Sequence, residues 1–323
     1  MLLKLVEYNW AEHIDDALLL LGRLDTKTVP LAGGTYLLAQ KDNTIQAVVD
    51  LRDLGLSYIS EDTRYVHIGA MTTLQELVDA PLLKAFATGL LPQAALVSAS
   101  SRLIRNCATV GGTLGAGVAS QADLLTALVA LGAEIVVRSG SKTQVSLSGG
   151  GAGRMGLPLS NVVYKGKQER RIACEHWSLE QRPNELIIEI AIPRVANSCG
   201  TSFMRISRTP SDVAMLNAAA VVEIAEGIYK RVRLAFGGAN MEPVRLQAVE
   251  QQLEGQRAHP VDSQRLLSIV QNSMMAFRPS NDIRASSGYR RVSAKHLAYR
   301  VLEEATNVSH WRSTVASSMG RGL

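Results

Sequence analysis

Two segments of the chain pair adjacent glycines with a threonine, and each follows an apolar run. They read Leu31-Ala32-Gly33-Gly34-Thr35-Tyr36-Leu37 and Thr109-Val110-Gly111-Gly112-Thr113-Leu114-Gly115. Glycine permits positive φ and close approach of the backbone, and successive N–H groups in such a turn can form a nest for an anion. A threonine hydroxyl adds a donor for phosphate oxygen. Two such loops suit the two phosphates of a dinucleotide, although each segment alone is also typical of a tight turn between strand and helix.

The bulk properties favour a soluble globular protein of two domains. A chain of 323 residues with 46% hydrophobic and 20% charged residues can bury two cores. The net charge of +5 is small and spread out, which argues against nucleic-acid binding. The three cysteines show no CxxC spacing, so a disulfide framework, a zinc site and an iron–sulfur cluster in this chain are all disfavoured.

The N-terminus lacks the basic and apolar regions of a signal peptide, and the apolar runs are too short to span a membrane. Together with the cysteine usage, this predicts a cytoplasmic protein without a membrane span.

Helical and strand-like patterns alternate over the first 140 residues. We predict a helix over 11–24, strands over 28–31, 47–51 and 65–70, and a helix over 73–79 capped by Thr72 or Thr73. Residues 82–100 look mostly helical, residues 109–117 form a glycine-rich turn, and a helix over 123–132 leads into a strand over 133–138. The Ser- and Gly-rich stretch 139–156 is interpreted as a loop.

Strand patterns dominate again from residue 185, and helical patterns follow them. Strands are predicted over 186–193, 203–207, 213–225 and 232–237, and helices over 245–253, 263–276 and 293–306. Strands followed by helices indicate a second, separate α+β domain. The polar residues 307–323 are predicted to fray as a flexible tail.

Several common functional motifs are absent or misplaced. Gly151-Ala152-Gly153-Arg154-Met155-Gly156 matches G-x-G-x-x-G, but no strand precedes it and Pro158 opposes a helix after it. The sequence has no P-loop, no H-E-x-x-H and no G-x-S-x-G. His67 is interpreted as a strand-surface histidine. We therefore expect no catalytic side chain and no metal ligand.

Several ordered motifs together are more specific than either glycine pair. They are Ala32-Gly33-Gly34-Thr35, His67-Ile68-Gly69-Ala70-Met71-Thr72-Thr73, Ile104-Arg105-Asn106 continuing to Gly111-Gly112-Thr113, Asp123-Leu124, Glu185-Leu186-Ile187, Arg208 with Asp212-Val213-Ala214, and Leu234–Gly238. Their order and spacing resemble the FAD-binding medium subunits of molybdenum-containing hydroxylases of the carbon monoxide dehydrogenase and xanthine dehydrogenase type. The resemblance spans most of residues 1–300.

The resemblance implies an α+β fold with three parts. The first is a two-part FAD-binding domain of the vanillyl-alcohol-oxidase-like (PCMH) type over 1–166, with subdomains at about 1–55 and 56–166. A smaller C-terminal domain with an antiparallel sheet and helices would occupy 167–306, and a flexible tail 307–323.

The resemblance also implies noncovalent FAD and names the residues that would hold it. They are Leu31, Ala32, Gly33, Gly34, Thr35, Tyr36, Leu37, Ala70, Thr109, Gly111, Gly112, Thr113, Asp123, Ile187 and Arg205. The two glycine loops would bind the diphosphate and ribityl. Electrons would come from [2Fe-2S] clusters of a small partner subunit, would originate at a molybdopterin-binding large subunit, and would leave to a small-molecule or protein acceptor.

The chain departs from the family pattern at Tyr36, Thr113 and residues 150–182. Tyr36 stands where a small polar or acidic residue is usual, and Thr113 replaces a common Asn. Two other functions remain open: a stand-alone flavin-dependent oxidase or reductase, and a noncatalytic subunit that has lost flavin.

Overall fold

A computed structural model describes residues 5–117, 122–140, 168–182, 185–238, 242–258, 261–274 and 277–319. The G-x-G-x-x-G segment at 151–156 and most of the predicted loop 139–156 lie outside the described residues. The fold is α+β, as the sequence predicts, and the described strands form three sheets.

A three-stranded parallel sheet lies nearest the N-terminus. Its strands are β1 (Glu7–Trp10), β2 (Thr28–Leu31) and β3 (Ala47–Asp50), in the order β1-β3-β2, and helix α1 (Ile14–Leu21) connects the first two. All four residues of the central strand β3 are buried, as expected when both edges and both faces are covered. The strand β2 ends where the first glycine loop begins.

A five-stranded antiparallel sheet forms the middle of the molecule. Its strands, in spatial order β4-β5-β8-β6-β7, are β4 (Ile59–Glu61), β5 (Tyr65–Gly69), β6 (Glu134–Ser139), β7 (Gln168–Ala173) and β8 (Glu185–Pro193). Short helices cover this region: α2 (Leu74–Asp79), α3 (Pro81–Ala85), α4 (Leu90–Ser98), α5 (Arg102–Arg105), α6 (Val110–Ala116), α7 (Ala122–Leu131) and α8 (Trp177–Glu180). One face of the sheet packs on α2, α4, α6 and α7, and the other face packs on α1 and the three-stranded sheet.

The predicted domain boundary between residues 166 and 167 is wrong. Strand β8 pairs with both β5 and β6, placing Ile190 opposite Ile68 and Ile135, and β7 pairs with β6. Both strands therefore complete the middle sheet instead of starting the C-terminal domain. Apolar alternation identifies a strand, but it does not say which sheet the strand joins.

The C-terminal part contains a four-stranded antiparallel sheet and three helices. The strands β9 (Gly200–Ile206), β10 (Leu216–Ala225), β11 (Ile228–Gly237) and β12 (Val244–Arg245) lie in the order β12-β11-β10-β9, and the helices are α9 (Gln247–Leu253), α10 (Ser263–Ser273) and α11 (Ser287–Met319). One sheet face packs on the three helices. The other face packs on the middle region, where Phe203, Ala219, Val221 and Ala235 join its core.

The predicted flexible tail is also wrong over its described part, because residues 307–319 continue helix α11. Ser309 is fully buried, and its hydroxyl donates to the carbonyl of Ser198 (2.8 Å). Gly200 allows this approach, since a Cβ there would lie 2.1 Å from the carbonyl oxygen of Ala305. Polar residues here therefore hold the helix against β9 instead of leaving it solvated.

Candidate functional site

The first glycine loop is anchored at both ends and shaped by glycine in between. Leu31 and Leu37 pack against buried Ile45 and Val48. Between these anchors Gly34 has φ of +68°, in the left-handed region that glycine adopts without strain. Tyr36 is half-buried and its carbonyl accepts from the N–H groups of the two turn residues at 39 and 40, whereas Thr35 is exposed.

The backbone donors of this loop are unused. Within the described part of the chain, none of the six N–H groups from Ala32 to Leu37 donates a hydrogen bond to protein. Consecutive unpaired N–H groups around a left-handed residue form the nest geometry that binds anions. The first loop can therefore receive a phosphate.

The second glycine loop is the start of helix α6, which corrects the predicted turn over 109–117. Thr109 is its N-cap, and its hydroxyl oxygen accepts from the N–H of Gly112 (3.0 Å). Val110 donates to the carbonyl of Thr72 (2.9 Å), and Gly111 donates to that of Ala70 (2.8 Å). The N–H of Thr113 also bonds, to the Thr109 carbonyl (2.9 Å). Because these four donors are satisfied, the second loop does not form the anion nest that its sequence suggests.

The glycines of the second loop permit close packing. A Cβ on Gly111 would lie 2.8 Å from the Cβ of Ala70, and one on Gly112 would lie 3.5 Å from that of Ala32. A Cβ on Gly33 would lie only 1.7 Å from the carbonyl oxygen of Cys107. The structure thus brings the two loops and the Ala70–Thr73 segment into one contact region.

Ile187 borders the same region from β8. It is buried, and its Cδ1 lies 4.0 Å from the position that a Cβ on Gly115 would take. Helix α6 is also bound to α8, because the indole N–H of Trp177 donates to the carbonyl of Leu114 (3.1 Å).

Arg105 fixes the segment that leads into the second loop. Its side chain is buried and donates to Gln75 Oε1 (3.0 Å) and to the carbonyls of Ala99 (2.7 Å) and Ser100 (3.1 Å). The guanidinium therefore ties α5 to α2 and to the end of α4. Arg105 lies in one of the motifs that resemble the family, but the sequence pattern did not predict this role in fixing the segment.

Asp123 and Arg205 belong to a second, polar cluster between the middle region and the four-stranded sheet. Asp123 is 3% exposed, and its Oδ1 accepts from Asn217 Nδ2 (2.5 Å). Arg205 Nη2 lies 3.8 Å from Asp123 Oδ2, and Thr126 donates to Asn217 Oδ1 (2.8 Å). Burial raises the pKa of Asp123, while the charge of Arg205 and the Asn217 hydrogen bond act in the opposite direction.

Asn217 and Thr126 are members of this cluster that the sequence did not reveal. Both side chains are fully buried, and 91 residues separate them along the chain. Arg205 also donates to the carbonyls of Val97 (3.3 Å) and Pro210 (3.3 Å), but its Nε is a buried donor without an acceptor among the described residues. A buried donor without an acceptor costs free energy, and an added acceptor would recover that cost.

Other reactive groups are sparse in the described ranges. No three His, Cys, Asp or Glu side chains there come together as a metal site. The cysteines are free thiols, of which Cys107 is exposed and Cys174 and Cys199 are buried. Of the helices in these ranges, none combines the length and apolar character that crossing a membrane requires.

Two family models match the chain. A model of the FAD-binding domain in molybdopterin dehydrogenases matches residues 4–148, and one of the CO dehydrogenase flavoprotein C-terminal domain matches residues 201–305. The carbon monoxide dehydrogenase medium chain of Hydrogenophaga pseudoflava is 26% identical, covering 93% of this chain and 96% of that protein. The glyceraldehyde dehydrogenase medium chain of Sulfolobus acidocaldarius is 24% identical, with 92% and 97% covered.

Solved structures share the fold over nearly the whole chain. Carbon monoxide dehydrogenase from Hydrogenophaga pseudoflava superposes with a TM-score of 0.79 at 22% identity, covering 94% of this chain and 98% of that one. Quinoline 2-oxidoreductase from Pseudomonas putida 86 gives 0.75 at 21% identity, with 94% and 97% covered.

The matching family models and the dehydrogenase relatives identify the chain as the flavoprotein subunit of an oxidoreductase, with FAD as its cofactor. The chain belongs to the family of FAD-binding medium subunits of molybdenum hydroxylases, which confirms the resemblance drawn from its motifs.

Proposed function

We propose that the first glycine loop binds the FAD diphosphate and that the second loop gives the site its shape. The observation that carries this assignment is the run of six unused N–H groups from Ala32 to Leu37. Gly111 and Gly112 support the first loop by allowing Ala70 and Ala32 to approach, and the buried hydroxyls of Thr109 and Thr113 border the same region. FAD is noncovalent in this proposal.

The remaining candidate residues extend the site toward the C-terminal sheet. Ile187 would offer an apolar contact beside α6. Arg205, with its unsatisfied Nε, and Asp123, held by Asn217, would meet a polar part of the cofactor. In this proposal the site is completed from two parts of the chain, and cofactor sites commonly form where two such parts meet.

Bound flavin supplies the redox chemistry, and the protein binds it, orients it and excludes water. We infer that the chain receives electrons from iron–sulfur clusters of a [2Fe-2S] small subunit, beside a molybdopterin-binding large subunit, and that they pass on to an external acceptor. Two relatives are medium chains of dehydrogenases, which supports such partners. We also propose that the FAD-binding part is of the vanillyl-alcohol-oxidase type and that the protein is cytoplasmic, in keeping with its free thiols.

The test is the visible absorption spectrum of the full chain, purified alone and then reconstituted with FAD. We expect a stable flavin spectrum that is reduced when substrate is added together with the partner subunits. Reduction by an organic donor without partners would instead indicate a stand-alone flavin oxidase or reductase. No flavin binding under any condition would contradict the proposal.

A matched pair of variants tests the role of the first loop. Gly34→Ala and Gly227→Ala both force a left-handed φ (+68° and +74°) on a residue with a Cβ, at a cost of about 1 kcal/mol. Gly227 lies in the β10–β11 turn, far from the loops along the chain. Lower FAD affinity in the Gly34 variant, with unchanged affinity in the Gly227 variant, is the expected result.

A further inference from the structure

A cavity of about 360 Å³ lies between the edge strand β9 and the first half of helix α11. Its walls are formed by Met204, Arg205, Ile206, Ser293, His296, Leu297 and Arg300. The four helix residues recur at i, i+3, i+4 and i+7 and therefore share one helix face. Its volume falls at the small end of the range for ligand pockets.

The cavity wall is cationic, and the described residues that line it include no carboxylate. Its ionisable residues are Arg205, His296 and Arg300. From residue 290 to residue 300, helix α11 carries four basic residues and a histidine but no acidic residue. Within the described ranges, Arg205 and Arg290 are balanced by Asp123 and Asp282, so Arg300 carries the unpaired positive charge of the wall. A positive charge at a concave surface raises the local concentration of anions.

The polar side chains that α11 contributes to the cavity are unengaged. Ser293, His296 and Arg300 have no hydrogen-bond or ion-pair partner in the described part of the chain. Arg205 differs, because its guanidinium donates to the carbonyls of Val97 and Pro210 and lies 3.8 Å from the carboxylate of Asp123. The groups available to a ligand are therefore those of the helix.

The acidic residues of α11 nearest to Arg300 in the sequence form hydrogen bonds with other residues. Glu304, one turn after Arg300, accepts from the buried hydroxyl of Ser202 (2.7 Å) and forms no ion pair with Arg300. Glu303 accepts from Tyr299 and from Ser263. The charge of Arg300 is thus left without the i,i+4 partner that the sequence offers it.

We propose that this cavity binds a phosphate group, as free phosphate or as part of a small organic phosphate. The planar guanidinium of Arg300 can donate two parallel hydrogen bonds to a phosphate. His296 and Ser293 add donors on the same helix face. Met204, Ile206 and Leu297 provide an apolar wall that suits the organic part of a phosphate ester.

Calorimetric titration of the full chain, saturated with FAD, tests the site with inorganic phosphate and with AMP. FAD saturation keeps both probes out of the flavin loops. We expect saturable binding of at least one probe, weakened about tenfold or more in Arg300→Gln, because a charge-assisted hydrogen bond is lost. Binding of AMP but not of phosphate would identify an organic phosphate as the ligand. Equal affinities for AMP and inorganic phosphate would show that the site recognises the phosphate group alone, so that the free ion suffices as the ligand.

Lys295→Gln is the matched control, since it removes one positive charge from α11 without altering the cavity wall. It should change the affinity much less than Arg300→Gln, and His296→Asn should reproduce the loss in part. Thermal unfolding of each variant verifies that it is folded. No binding of either probe at millimolar concentration, or equal losses in the Arg300 and Lys295 variants, would overturn the proposal.

Discussion

Gly33 lies so close to Cys107 that a Cβ on Gly33 would stand 1.7 Å from the Cys107 carbonyl oxygen. Real atoms cannot share this space, so any side chain at Gly33 must push the two loops apart. The contact joins the end of the three-stranded sheet to the segment before helix α6. It makes the geometry of the first loop depend on the second loop.

Gly33→Ala should therefore weaken FAD binding by tenfold or more and destabilise the apoprotein by about 1–3 kcal/mol, as overpacking does. Fluorescence titration with FAD and urea unfolding measure the two effects. Gly288→Ala is the control, because its Cβ would meet nothing closer than Ser286 Oγ at 4.0 Å. Unchanged FAD affinity in Gly33→Ala would show that the loops are not coupled in this way.

Thr109 acts through its hydroxyl, which caps helix α6 at the N–H of Gly112. Thr109→Ala should cost about 1 kcal/mol of stability, whereas Thr109→Ser retains the oxygen and should recover most of it. Urea unfolding midpoints of the three proteins provide the comparison. Equal destabilisation by alanine and serine would mean that the methyl packing of Thr109 matters more than its cap.

The sequence indicated where the two glycine loops lie along the chain. It did not indicate whether their backbone N–H groups form hydrogen bonds within the protein. The two segments look equivalent in the sequence. Thr72 accepts from Val110 across 38 residues of sequence and Ala70 accepts from Gly111 across 41, so these contacts exist only after folding. Among the described residues, no carbonyl accepts from the six backbone N–H groups from Ala32 to Leu37 in the first loop. The two loops therefore differ in how their backbone donors are used, and this difference underlies the proposal that only the first loop binds the diphosphate.

Long-range pairing explains the other differences. Most helix and strand positions follow from local patterns, including the cap at Thr73 and the strand Thr28–Leu31. The sheet that β8 joins, and the contact between Asp123 and Asn217 across 94 residues, are decided by tertiary packing. Helix α11 likewise extends past residue 306 because Ser309 is buried against β9, which the polar sequence does not indicate.

Asn217 holds the carboxylate of Asp123 and accepts from Thr126 in a fully buried position. Asn217→Leu keeps a similar volume but removes the hydrogen bond that Asn217 donates to Asp123 and the one that it accepts from Thr126. We expect a loss of about 1–3 kcal/mol in the free energy of unfolding and weaker FAD binding. Urea unfolding and fluorescence titration measure these changes.

Thr306→Val is the control for a buried hydrogen bond outside the cluster. It removes the bond between Thr306 and Tyr229 (3.0 Å) and should cost about 1 kcal/mol. FAD affinity should stay unchanged in this variant. If both variants lower FAD affinity alike, then the effect of Asn217 is general destabilisation and not positioning of Asp123.

His67 should make stability depend on pH near neutrality. Its Nδ1 lies 2.9 Å from Glu189 and its Nε2 lies 3.1 Å from Asp62. Burial lowers the pKa of His67, but the hydrogen bonds and charges of these two carboxylates outweigh it, so the pKa is raised above 6.5. The stabilisation is therefore complete below pH 6.5 and is lost as the pH rises through the pKa of the folded protein.

The test measures the free energy of unfolding of the wild type and of His67→Gln from about pH 6 to about pH 8 and compares their difference at each pH. The wild type should be more stable at the acidic end, and the difference should narrow as His67 loses its proton. Glu189→Gln should reduce the same dependence, because it removes the carboxylate that binds Nδ1. A difference that stays constant with pH would mean that His67 contributes as a neutral side chain and that its two carboxylate contacts do not favour the imidazolium.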